Sequence, residues 1–155
     1  MNNSYMARAI ELSIENVRSG RGGPFGAVVV RDGKIVSEAA NSVTACNDPT
    51  AHAEILAIRR ACAELHNFEL RGCELYTSCE PCPMCLGAIY WARLDRVYYA
   101  NTAEDAARAG FDDSLIYREI SSALSEREIP MEQMMRGPAL EAFSAWAALP
   151  NKSPY

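Results

Sequence analysis

No apolar run in this 155-residue chain approaches the roughly 20 residues that a membrane-spanning helix requires. An apolar leader core is missing too, because Arg8, Glu11, Glu15 and Arg18 interrupt the first turns of chain; the expectation is a soluble, cytoplasmic protein with no membrane partner. Basic residues are in deficit. Against 20 Asp and Glu stand 15 Lys and Arg, a net charge of −5, so no global field draws in a phosphate backbone and no nucleic-acid partner is expected. Repeats and linker-like stretches are absent, and hydrophobic residues at 49% with charged residues at 23% exclude a disordered or collagen-like chain. A phosphate loop is lacking as well: the glycine-rich stretch Gly20, Gly22, Gly23, Pro24, Phe25, Gly26 enters a strand instead of opening a helix, and it carries neither GxGxxG nor GKS/T. What remains is one ordinary domain over residues 1–155, long enough to bury roughly 68–70% of its unfolded surface. Its 6 cysteines, with no secretory leader, read as thiols or metal ligands and not as a disulfide framework.

Hydrophobic periodicity orders the chain. Asn3 or Ser4 is expected to cap a helix whose apolar residues Met6, Ile10, Leu12, Ile14 and Val17 recur at helical spacing until Gly20 stops it. Ala27–Val30 and Lys34–Ala39 read as two antiparallel strands joined by an Asp32-Gly33 hairpin turn. Asp48, Pro49 and Thr50 signal the start of a helix over Ala51–Leu65. Strand, helix, strand over Cys73–Ser78, Pro81–Ala92 and Arg96–Ala100 implies a parallel crossover. Beyond it lie a polar stretch at Glu104 and Asp105, a GFDD turn at Gly110–Asp113, a short helix near Leu115–Leu124, a last helix near Leu140–Leu149 and a proline-bearing tail. The pattern is that of a three-layer α/β domain with a mixed sheet.

Two segments concentrate chemistry: His52, Ala53, Glu54 at one predicted helix start, and Pro81, Cys82, Pro83, Met84, Cys85 at the next. With Pro81 in the first turn, Cys82 and Cys85 fall on one helix face, and a helix N-terminus favours their thiolates. Adding the imidazole of His52 makes three N/S ligands for one Zn²⁺ per subunit, which leaves the fourth tetrahedral position to a water or hydroxide. Glu54, about 200° round the helix from His52, reads as a proton carrier and not as a further ligand. His-x-Glu together with Pro-Cys-x-x-Cys is the pattern of zinc nucleobase deaminases. Blander readings stay open at this point. Cys82 and Cys85 can be a redox pair or buried thiols, and Cys79 can close a structural Cys₃His site with them and His52. Cys46, Cys62 and Cys73 read as small core residues, His66 as a cap or surface group, and Phe25 and Trp91 as core aromatics.

The chain resembles the cytidine-deaminase-like superfamily, and within it the small bacterial guanine deaminases. The likeness rests on GGPFGAVVVRDG at Gly22–Gly33, NDPTAHAEI at Asn47–Ile55, LYTSCEPCPMCLGAIYWAR at Leu75–Arg93, GFDDSLIY at Gly110–Tyr117 and the terminal Tyr155. It implies a three-layer α/β/α sandwich with a mixed five-stranded sheet, cytidine-deaminase-like, and hydrolysis of the exocyclic amine of guanine to give xanthine and ammonia, as in purine salvage or catabolism. It implies His52, Cys82 and Cys85 as zinc ligands, Glu54 as the principal proton shuttle and Asp113 as a second carboxylate. Asn41 is implied to hydrogen-bond the purine, Ala53 to line its site, Phe25 and Trp91 to wall it, and Tyr155 to close it. A homodimer is implied in which the C-terminal segment, about 140–155, is exchanged between protomers. Three rivals remain: a deaminase of guanosine or an amino-triazine such as ammeline, a tRNA adenosine deaminase, and a non-catalytic zinc module using Cys79. The charge of −5 and the GFDDS block speak against the tRNA reading.

Overall fold

Residues 3–155 are described by a computed structural model. The first helix, α1 (Asn3–Arg18), already includes Asn3 and Ser4. Its buried face is not the isoleucine stripe. Ile10, Ile14 and Val17 are exposed, while Ala9, Ser13 and Asn16 are buried. The reason lies in the strand beneath: a Cβ added at Gly26 would run into the Ala9 carbonyl and come within 2.8 Å of the Ser13 amide, so helix and strand backbones touch and only small residues fit between them.

β1 (Gly26–Arg31) and β2 (Lys34–Ala40) form the expected antiparallel hairpin, turning through Asp32 and Gly33, both at positive φ. A register shift between Val29 and Val30 marks a bulge. After a short α2 (Val43–Cys46) comes α3 (Ala53–Glu64). It starts later than the sequence signals promise because the Asp48 carboxylate accepts from the Thr50 N–H at 2.8 Å and its hydroxyl at 2.7 Å, which holds a turn there. β3 (Cys73–Cys79) pairs antiparallel with β1, α4 (Pro83–Trp91) crosses over, and β4 (Arg96–Asn101) returns parallel to β3. The strand order is β2-β1-β3-β4.

Among the described residues the sheet therefore has four strands and not the five expected. After Asn101 the chain is rich in Ala, Glu and Asp, and Thr102 with Asp105 forms a capping box that launches α5 (Ala103–Arg108) where a further strand would have to begin. Alternation along β1 feeds two cores. Ala27 and Val29 join Ala57, Ile58, Leu75 and Ile89 on the face that carries α3 and α4, while Val28 and Val30 join Ala9 and Tyr76 under α1.

The chain divides into a first unit ending at Asp113 and a second, Ser114–Tyr155. The second comprises α6 (Ser114–Ser121), a 3₁₀ turn at Leu124–Glu126 and α7 (Arg136–Ala148), which starts earlier than expected. None of its helices has a buried residue, and Ile120, Phe143, Trp146 and Leu149 stand exposed.

Candidate active site

Prolines decide where α4 begins. Glu80 and Cys82 each precede a proline, which pushes them out of helical conformation, so the helix starts at Pro83 and not at Pro81. Cys82 becomes the N-cap (φ −65°, ψ 167°) and Cys85 the third helical residue. His52 takes the same post on α3 (φ −68°, ψ 154°), with Glu54 in its first turn. Neither cap residue spends its side chain on capping. Both side chains are instead turned to a common point: the Sγ atoms of Cys82 and Cys85 each lie 3.5 Å from His52 Nδ1.

That spacing suits a metal. Zn–S bonds of about 2.3 Å and Zn–N bonds of about 2.0 Å at tetrahedral angles put nitrogen and sulfur about 3.5 Å apart. All three donor atoms lie within 4.8 Å of one another. A nitrogen and two sulfurs are the donor set of zinc, and three protein ligands leave one position open. Cys79 is outside this group: it ends β3, is buried, and its Sγ sits 3.6 Å from the Thr102 carbonyl oxygen. The Cys₃His reading is thus not what the geometry assembles.

The electrostatics are those of a ligand cluster. The hydrogen bond with Cys85 pulls the Cys82 thiol down to about 4, helped by His52 and by the start of α4. Cys85 moves the other way, its thiol held protonated first by its neighbour Cys82 and then by burial. His52 is raised by its bond to Cys82. Since zinc needs both thiolates and a neutral imidazole, loading the site releases protons. Burial also raises the carboxyl of Glu54, which is 5% exposed and exchanges a hydrogen bond with Cys85. Asp113, half-buried, is raised by burial first and by the charge of Cys82 second, which puts it within electrostatic reach of the cluster.

Other expected site residues are arranged less evenly. Asn41 is buried, and its Oδ1 accepts from the Gly23 N–H at 3.4 Å and the Val43 N–H at 3.3 Å. Phe25 packs edge-on against Phe111 with ring centroids 4.9 Å apart, next to the core and not in it. Ala53 is fully buried. Trp91 is no core aromatic: it is 67% exposed at the far end of α4, about 13 Å along the helix axis from Cys82. Tyr155 belongs to the second unit and is exposed. Cys73 is buried as expected, Cys62 half-buried, and Cys46 exposed on its short helix. His66 is a surface residue at positive φ just past α3. Asn16 carried no expectation; a polar residue on the small-residue face of an otherwise amphipathic helix was the available signal.

An α/β sheet that presents one imidazole, two thiols and a buried glutamate at two helix starts defines a zinc deaminase. The cytidine and deoxycytidylate deaminase zinc-binding region matches residues 1–101, and the chain belongs to that family. It is 55% identical to the guanine deaminase of Bacillus subtilis (strain 168) over 152 residues, 98% of this chain and 97% of that one. The X-ray structure of guanine deaminase from Bacillus subtilis superposes with a TM-score of 0.97 at 54% identity, covering 100% of this chain and 99% of the other. Identity to the tRNA-specific adenosine deaminase of Aquifex aeolicus (strain VF5) is 49% over 77 residues, only 50% of this chain and 51% of the relative. Among the described residues no helix is long and apolar enough to cross a membrane.

Proposed function

We propose that this protein is a guanine deaminase that hydrolyses guanine to xanthine and ammonia. The observation that carries the reading is the convergence of His52, Cys82 and Cys85 with a buried Glu54 beside them, in a chain similar along its whole length to a guanine deaminase. Held by these three ligands, zinc supplies Lewis-acid activation of a water. The rest falls to side chains. Glu54 takes a proton from the attacking water and passes it to a ring nitrogen next to purine C2. Asp113 shares the second transfer, in which the remaining proton of the oxygen added to C2 moves to the amine as the C2–N bond breaks and ammonia leaves, and orients the base. Asn41 supplies a hydrogen bond to the purine, Phe25 a wall, and Ala53 its main-chain N–H, which has no partner within the helix at this first position. Trp91 and Tyr155 are given places in the enclosure by resemblance alone, since Trp91 stands exposed at the far end of α4 and Tyr155 would have to come from the exchanged segment of a second copy.

This reading extends to a cytoplasmic, purine-catabolic homodimer with the segment around 140–155 exchanged between protomers. Its support is that the helices of the second unit bury nothing while presenting Phe143, Trp146 and Leu149, the composition of a face covered by another copy. The separate cores under α1 and under α3 and α4 support a three-layer α/β/α architecture. Removing Pro154 and Tyr155 is expected to lower kcat/KM on guanine at least tenfold with zinc retained; unchanged activity in that truncation removes Tyr155 from the site.

Ammonia release from the zinc-loaded protein decides the substrate, across guanine, guanosine, ammeline, cytosine, cytidine, adenine and a tRNA anticodon arm. Guanine is expected to lead by kcat/KM. A clear preference for any other member reassigns the pocket.

A further inference from the structure

Asn16 stands near the end of α1, 3% exposed, outside the zinc ligands and the proton carriers. Its Nδ2 donates to two backbone carbonyls at once, that of Gly23 at 2.9 Å and that of Asn41 at 2.8 Å. Both hydrogens of one amide are thus committed to two different segments. Those segments are also tied to each other: the Asn41 N–H donates to the Phe25 carbonyl at 3.0 Å, and Asn41 Oδ1 accepts from the Gly23 N–H. Two backbone donors converging on Oδ1, from Gly23 and Val43, fix which way the Asn41 amide faces and leave its Nδ2 as the donor for a ligand. A single buried side chain therefore ties the loop bearing Phe25 to the backbone of Asn41. Gly22 leaves room for this clamp, since a Cβ there would collide with the Asn41 carbonyl and come within 2.9 Å of Asn16 Nδ2.

We propose that Asn16 is a positioning residue for purine recognition: by holding the Gly23 and Asn41 carbonyls it sets the orientation of the Asn41 amide and the placement of the Phe25 ring. Rotation of either would weaken substrate binding while zinc, Glu54 and Asp113 keep their places, so the effect falls on KM. The kinetic part of this inference rests on the guanine-deaminase reading. A merely structural Asn16 acts differently: its loss lowers the active fraction, which depresses apparent kcat and leaves KM alone.

The experiment uses zinc-loaded full-length Asn16→Ala, with Gly22→Ala as a second variant that attacks the same contact from the other side while keeping the Asn16 amide. Two quantities are read: steady-state kinetics on guanine, and hydrogen exchange of peptides covering residues 22–26 and 40–46. KM is expected to rise about tenfold with kcat within about threefold, in keeping with the loss of one well-placed hydrogen bond and a wall, and exchange in both peptides is expected to quicken. Wild-type KM and wild-type exchange in both variants would overturn the positioning role while leaving the guanine reading intact. Should the wild-type protein ignore guanine while both variants still loosen those two peptides, the function fails and the clamp stands, with its KM effect then read on whichever base is turned over. A fall in kcat alone, at unchanged KM, also overturns the proposal.

Discussion

Glu54→Ala is expected to lower kcat on guanine by about three to four orders of magnitude and to leave one zinc per chain, the upper end of what a positioned proton carrier contributes. Three features of the site lead there. Glu54 sits in the first turn of α3, one residue past the helix start from which His52 reaches the metal position. It is 5% exposed, so no bulk water stands ready to replace it as a base. It is also absent from the donor cluster, which consists of His52, Cys82 and Cys85. Removing it is therefore expected to take away proton transfer without taking away a ligand. Glu54→Gln sharpens the test, because the amide keeps the volume and loses only the ability to accept the proton; a deficit equal to that of the Ala variant assigns the loss to the proton. Metal content by plasma emission and steady-state kinetics are the two readouts. A kcat within tenfold of wild type in either variant ends the shuttle role. Asp113→Asn is expected to cost less, about a hundredfold in kcat, because Asp113 is only half-buried and shares its work. A change confined to KM makes Asp113 a binding group.

The parts of this molecule that were legible in its sequence are those where chemistry and local geometry agree. His52, Glu54, Cys82 and Cys85 stand at helix starts flagged by prolines, turn residues and the onset of apolar periodicity, and the hairpin at Asp32-Gly33 needs both its residues at positive φ, which that dipeptide allows. Periodicity misled where contact is made by small residues. On α1 it selected Met6, Ile10, Leu12, Ile14 and Val17; Met6 and Leu12 do pack against the core, but the other three are exposed, and the close approach of Gly26 demanded Ala9 and Ser13. It also missed Asn16, whose role depends on carbonyls 7 and 25 residues away. Trp91 is illegible for a different reason: α4 is hydrophobic nearly all round, so no stripe tells its inner face from its outer one, and the exposed end of the helix looks like core. The fifth strand was an inference from resemblance, and the Thr102 and Asp105 capping box, readable in the sequence, argued for a helix at that point.

The three cysteines at 79, 82 and 85 share one spacing and only two of them face the imidazole, which makes their serine variants the sharpest test of the metal site. Cys82→Ser is expected to lose zinc and with it all measurable turnover. The hydroxyl that replaces the sulfur is a far weaker zinc ligand than a thiolate, and Cys82 is the more acidic of the pair, its thiol lying near 4 where Cys85 stays protonated. Cys82→Ser should also lower Tm and abolish the stabilisation that added zinc gives the wild-type protein, because metal that binds only the folded chain contributes its binding free energy to folding. Cys79→Ser is expected to keep both zinc and turnover. Its sulfur lies against the Thr102 carbonyl, and burial pushes its thiol up to about 11, so at neutral pH it is a protonated donor and offers no thiolate to a metal. A serine hydroxyl can make the same donation to Thr102 over a slightly longer gap, at a cost of about 1 kcal/mol in stability. The pair of variants separates a catalytic site with an open position from a closed structural one. Zinc lost from Cys79→Ser would make it a fourth ligand and fill the position that hydrolysis needs, whereas zinc kept by Cys82→Ser would move the metal off the helix start on which the proposed mechanism depends.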